Sequence, residues 1–151
     1  MDKSILYKLS YGLYAIGAQD GACIANTVFQ ITSTPAVIAL SMNKNNATHD
    51  LIQKSGRFSV SILNEDVPSE IISTLGFASS RDTDKFTGLP WKKINGLPVL
   101  EKGSSGYLLC EVISSSDLGT HTVFFAAVQE AESVQNVLEK ASAVSTLYAD
   151  M

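Results

Sequence analysis

Asp20-Gly21-Ala22-Cys23-Ile24-Ala25-Asn26-Thr27-Val28-Phe29-Gln30-Ile31-Thr32-Ser33-Thr34-Pro35 is the stretch whose reading decides the fold class. Asp20-Gly21 predicts a hairpin between strand-like Tyr11–Ala18 and Ala22–Ser33, because a type I′ turn needs the positive φ that Asp and Gly tolerate. The second segment carries amide and hydroxyl groups among apolar ones. Strand residues two apart share a face, which places Asn26, Val28, Gln30 and Thr32 together. Pro35 breaks the chain before Ala36–Met42, a nearly continuous apolar run of the kind found in central strands.

Outward from this hairpin the chain keeps the same character. Asp2–Leu9 predicts a short helix with Ile5, Leu6 and Leu9 on one face. Thr48 is placed to cap a helix from His49 to Lys54, which Gly56 ends. Arg57–Leu63 alternates, with Phe58, Val60 and Ile62 on one face and Ser59 and Ser61 on the other. A second helix covers Val67–Leu75, with Pro68 in its first turn and Gly76 at its end. Irregular chain is expected through Gly96. Two long strands, Gly106–Ser116 and His121–Val134, are joined at Asp117-Leu118-Gly119, and Gln135–Ala141 reads as a final helical piece. Many strands with hairpin links predict a mainly β protein, an antiparallel barrel rather than a doubly wound sheet. No Gly-x-Gly-x-x-Gly follows a strand, so a nicotinamide cofactor has no dedicated Rossmann site.

Composition narrows the functional classes. The 151 residues suit one domain, 1–151, with a substantial core. Charged residues are 17% against roughly 25% in an average domain. This predicts apolar surface covered by a ligand or a second subunit. A net charge of −4 with scattered Lys and Arg argues against nucleic acid. Cys23 and Cys110 form no metal-ligand cluster with His49 and His121 and are expected as buried thiols. No apolar run reaches the roughly 18 residues of a membrane span, and the N-terminus has no signal-peptide core. The expected setting is cytoplasmic, with no membrane.

The polar residues point to a ligand. A strand edge rich in amides and hydroxyls suits the rim of a flat heterocycle. The loop Ser41-Met42-Asn43-Lys44-Asn45-Asn46-Ala47-Thr48 offers positive charge and a capped helix N-terminus to a phosphate. On residue chemistry alone this stops at a phosphorylated ligand, with solvated edge residues as the other reading. Further motifs follow in order: Ser80-Arg81-Asp82-Thr83-Asp84-Lys85-Phe86, then Gly96-Leu97-Pro98-Val99-Leu100, then Gly119-Thr120-His121-Thr122-Val123-Phe124. In this order and spacing the chain resembles the flavin-reductase-like family of FMN-binding split barrels. Within that family it looks most like the flavin domain of high-molecular-weight rubredoxins and flavoredoxins.

The resemblance implies an antiparallel Greek-key split barrel holding FMN, with NADH or NADPH as a transient hydride donor. It assigns Asn26, Thr27, Val28, Gln30 and Thr32 to the ring and ribityl chain. Ser41, Met42, Asn43, Lys44, Asn46 and Thr48 fall along the phosphate loop, and Arg81, Lys85 and Phe86 match a second phosphate-side motif. His121 matches the family's histidine beside flavin and nicotinamide. Thr120 stands where the family often has Asp, which favours a positioning role over acid–base work. The resemblance also implies a homodimer sharing its sites, with a redox-protein electron acceptor as a possible partner. His49 is expected on the surface, Trp91 in packing, and Tyr148 as a second aromatic candidate for stacking. Three functional classes follow: an NAD(P)H-dependent flavin oxidoreductase, a flavoredoxin-like electron carrier, and a non-redox binding domain on the same barrel.

Overall fold

A computed structural model describes residues 1–77 and 88–133. Its main element is a seven-stranded antiparallel sheet in the order β2-β1-β5-β8-β9-β4-β3, beside a separate β6–β7 hairpin. The strands are β1 (Tyr14–Ala18), β2 (Gly21–Ala25), β3 (Val28–Ser33), β4 (Ala36–Asn43), β5 (Arg57–Leu63), β6 (Trp91–Ile94), β7 (Leu97–Leu100), β8 (Ser104–Asp117) and β9 (His121–Ser133). Two α-helices, α1 (Ala47–Ser55) and α2 (Ser69–Phe77), and a 3-10 turn at Lys3–Lys8 complete the described elements.

The predicted single strand Ala22–Ser33 is two strands, and the break decides the architecture. β2 and β3 are the opposite edges of the sheet, yet only Asn26 and Thr27 separate them in sequence. A trans-linked chain advances at most about 3.6 Å per residue, so the two edges must meet. The sheet therefore curls into a barrel with a seam at Asn26–Thr27.

Alternation along the strands then divides inside from outside. Ile16, Val60, Phe58, Cys110, Leu40 and Phe124 belong to the interior core. Ile52 of α1 joins the same cluster, so α1 plugs one end of the barrel. The α1 N-cap is Asn46 rather than Thr48. Asn46 Oδ1 accepts the Thr48 N–H at 2.9 Å, because helical geometry starts at Ala47. Gly56 ends the helix as expected, at φ 72°, donating its N–H to the Ile52 carbonyl at 2.8 Å.

One half of the outer surface is covered. Ile71 and Leu75 of α2 pack with Ala15, Ala22 and Leu100. The face of β5 that carries Ser59 and Ser61 is buried beneath β7. Ser59 Oγ donates to the Pro98 carbonyl, and Ser61 Oγ accepts the Leu100 N–H at 3.0 Å. The approach is close enough that a Cβ on Gly17 would sit 2.7 Å from Pro98 Cγ. The β6–β7 hairpin was expected to be largely irregular chain. It turns on Asn95-Gly96, with φ 51° and 82°. Trp91 starts it and packs against the α2 cluster, as expected. At the β1–β2 hairpin the loop is Gln19–Asp20, since Ala18 pairs with Gly21. Among the described residues Asn95 is the one non-glycine with positive φ, so the type I′ expectation for Asp20-Gly21 does not hold.

β3, by contrast, is largely exposed. Phe29 and Ile31 of β3 and Ile113 of β8 are 55%, 48% and 59% exposed. The Lys3–Lys8 turn buries none of its residues, so the predicted helix face of Ile5, Leu6 and Leu9 packs into no core. Cys23 and Cys110 are both buried as thiols. The expected helix at Gln135–Ala141 lies outside the described residues.

Candidate functional site

The site is built at the seam. A cleft of about 1040 Å³ opens there, between the N-terminal segment and the start of β9. Asn26, Thr27, Val28, Phe29 and His121 line one side, and Tyr7, Leu9 and Tyr11 line another. The structure therefore brings together three of the predicted ring-binding residues and the predicted histidine, from parts of the chain far apart in sequence. β3 is an edge strand that pairs with β4 alone. An edge of this kind offers backbone groups that can read the polar rim of a flat heterocycle.

His121 is half-buried and paired with Asn43 across β4 and β9. Thr120 Oγ1 lies 2.9 Å from its Nδ1. The hydroxyl thus provides the orientation that a preceding carboxylate would give, without adding charge. Ser41 donates its N–H to the Thr27 carbonyl at 3.1 Å, which ties the seam to β4.

Gln30 and Thr32 do not stay with this group. A bulge between them pairs Gln30 with Ile38 but Thr32 with Val37. Ile38 and Val37 point to opposite faces, so the bulge sends Thr32 to the face opposite Gln30. Gln30 instead lines a second cavity of about 420 Å³, with Tyr14, Val60 and Leu108. Met42 is buried in the barrel core and is a packing residue there.

The start of α1 has the character of an anion seat. Thr48 is fully buried and its Oγ1 has no hydrogen-bond partner among the described residues. A buried hydroxyl without a partner costs about 1–3 kcal/mol, so its presence at a helix N-terminus points to a missing acceptor. Lys44 is in the loop that leads into α1, but its ammonium is held by Asp117 at the end of β8. That hydrogen bond, with a second from the Gly119 N–H at 3.1 Å, holds the Asp117 carboxyl below the usual carboxylate range. A phosphate would have to compete for Lys44. Asn43 Oδ1 accepts the Asn45 N–H at 2.8 Å and shapes the same loop. Arg81, Lys85 and Phe86 lie outside the described residues, as does Tyr148.

His49 is the clearest departure from expectation. It is buried at 4% exposure, with Nε2 2.8 Å from Thr122 Oγ1 and Nδ1 2.8 Å from Asp50 Oδ1. Its ring stacks obliquely on Phe124, the centroids 5.5 Å apart. The first turn of α1 faces inward because the helix plugs the barrel, which a short polar helix viewed alone does not reveal. The N-terminal aromatics were missed for a related reason: Tyr7 and Tyr11 belong to no amphipathic pattern, and only the fold brings them to the cleft they border.

The family described as flavin reductase like domain matches residues 6–150. The chain is 43% identical over 136 residues to the high molecular weight rubredoxin of Moorella thermoacetica, covering 87% of this chain and 59% of that protein. It is 39% identical to the ferric-chelate reductase (NAD(P)H) of Archaeoglobus fulgidus, over 87% of this chain and 81% of that one. In three dimensions it resembles the NADH:FAD oxidoreductase SgcE6 of Streptomyces globisporus C-1027, with a TM-score of 0.78 and 18% identity. That likeness covers 89% of this chain and 84% of the other. At this identity it supports the split-barrel fold alone.

Proposed function

Since the chain belongs to the flavin reductase-like family, we propose that it is an FMN-binding oxidoreductase that takes hydride from NADH or NADPH and passes electrons onward. Bound FMN supplies the redox chemistry, and the chain binds and orients. The observation that carries this reading is the seam cleft, where Asn26, Thr27, Val28 and His121 meet. The residues fit the group at both ends. Edge backbone and amide groups suit the ring's polar rim, and the orphaned Thr48 hydroxyl at the α1 N-terminus suits the phosphate. Lys85 and Arg81 are proposed as further phosphate cations. His121, oriented by Thr120, places the nicotinamide against the ring.

Recording the visible spectrum anaerobically, before and after NADH and then NADPH, tests this. Rapid bleaching of a yellow protein by either nucleotide is the expected result. A colourless protein without FMN affinity would leave a non-redox binding domain. The likeness to the high molecular weight rubredoxin favours one second reading, a flavoredoxin-like carrier that exchanges electrons with partner proteins. A yellow protein inert to both nicotinamides but reduced by a redox protein would select it.

The working unit in this proposal is a homodimer in the cytoplasm. The exposed apolar side chains Phe29 and Ile31 on β3 and Ile113 on β8 support a second subunit. Among the described residues no helix is long and apolar enough to cross a membrane.

A further inference from the structure

We propose that His49 is a positioning residue: its imidazole ties the first turn of α1 to Thr122 and so sets how the neighbouring His121 is presented to the cleft. The proposal rests on the reading of His121 as the nicotinamide-side residue.

The ring has both nitrogens engaged inside the protein. A carboxylate can only accept, so Nδ1, facing Asp50, carries the proton in the neutral ring. Nε2 then accepts from the Thr122 hydroxyl, which fixes both the tautomer and the donor. Thr122 pairs with Met42 and points into the barrel, whereas His121 pairs with Asn43 and points out. Because strand side chains alternate, holding the inward Thr122 fixes the direction in which the outward His121 leaves the backbone. Two other ties join the loop before α1 to the β8–β9 turn, from the Lys44 N–H to the Thr120 carbonyl at 3.0 Å and from the Lys44 ammonium to Asp117. The Lys44–Asp117 pair is exposed to solvent, whereas the His49–Thr122 bond is buried and shielded from it. The helix whose N-terminus serves as the anion seat is thereby coupled through one imidazole to the strand that carries His121.

The chain contains two histidines, so imidazole NMR of the cofactor-free protein resolves each one. Thr122→Val should broaden or double the His121 ring signals, and Thr122→Ser, which keeps the hydroxyl, should leave them single. His49→Asn should act like Thr122→Val, while His49→Gln, whose amide reaches the ε position, should restore the His121 signals. In the FMN-loaded protein, Thr122→Val should slow NADH-driven reduction about tenfold while changing FMN affinity less than about threefold. Combining it with His49→Asn should add little further loss. Unchanged His121 signals in Thr122→Val overturn the proposal. So does equal behaviour of His49→Asn and His49→Gln, which would make His49 a core residue only. If Thr122→Val does not fold, the pair of His49 variants decides alone. Should the His121 signals respond while His121→Ala reduces at the normal rate, the positioning stands and the nicotinamide role of His121 falls.

Discussion

Replacing Thr48 by Val is expected to strengthen the empty protein and weaken the loaded one. Thr48 is fully buried in the first turn of α1, and its Oγ1 finds no partner among the described residues. Val has nearly the same shape and a similar helix propensity, so the substitution removes little but the hydroxyl. An unmatched buried hydroxyl costs about 1–3 kcal/mol, and its removal should stabilise the cofactor-free protein by about 1 kcal/mol or more. For a chain of this size that is a rise in melting temperature of roughly 2–4 °C per kcal/mol. If Oγ1 serves the FMN phosphate, the variant loses a charge-assisted hydrogen bond worth about 1.5–3 kcal/mol. FMN affinity should fall roughly ten- to a hundredfold. Urea unfolding of the cofactor-free protein and FMN titration followed by flavin fluorescence read the two effects separately. Their opposite signs are the diagnostic. A cofactor-free variant that is less stable by about 1 kcal/mol would mean the hydroxyl already has a partner. Unchanged FMN affinity would remove Thr48 from the phosphate site.

Other expectations concern the cleft, the packing and the assembly. His121→Ala should slow hydride transfer from NAD(P)H, in stopped-flow measurements, more than it lowers FMN affinity; the reverse order would make it a flavin-binding residue. Gly17→Ala should cost about 1–3 kcal/mol in urea unfolding, since the added Cβ meets Pro98 and Ser59 where β7 lies on β1. Burial pushes the Cys110 thiol up to about 12 from its ordinary value of 9.0, so it should resist thiol reagents at pH 8 until the protein unfolds. Because the folded state holds this proton more tightly, its contribution to stability is complete below about pH 9 and is lost as pH rises towards 12. Sedimentation at micromolar concentration should report a dimer that Phe29→Glu weakens, and a monomer binding FMN tightly would place the complete site on one chain.

The strands whose pattern is set by local chemistry were legible in the sequence. Arg57–Leu63 has the predicted bounds, and Gly56 ends α1 because few other residues accept its positive φ. Ala36–Met42 and the long β8–β9 pair were likewise clear from their apolar runs. What was missed depends on contacts distant in the chain. Nothing local marks Asn26–Thr27 as a crossing from one sheet edge to the other, since both halves have strand character. The bulge that turns Thr32 away comes from its pairing with β4, and the burial of Ser59 and Ser61 comes from β7. Asn95-Gly96 was different, a strong local hairpin signal overlooked between short strands. For the site, the grouping of Asn26, Thr27, Val28 and His121 was legible through resemblance. The inward turn of His49 was not, because helix orientation is a property of the whole barrel.

The seam at Asn26–Thr27 also has a meaning in time. Hairpins β1–β2 and β3–β4 on either side of it are local and form cheaply. Each reaches the rest of the sheet only through partners remote in sequence, such as Ser59 for Gly17 and His121 for Asn43. Closing those long loops carries an entropic cost before contacts repay it, so topology of this kind slows the final assembly. The cleft exists only once the ring of strands is complete. It is therefore among the last features a refolding chain acquires, and recovery of flavin binding should lag behind recovery of β-structure.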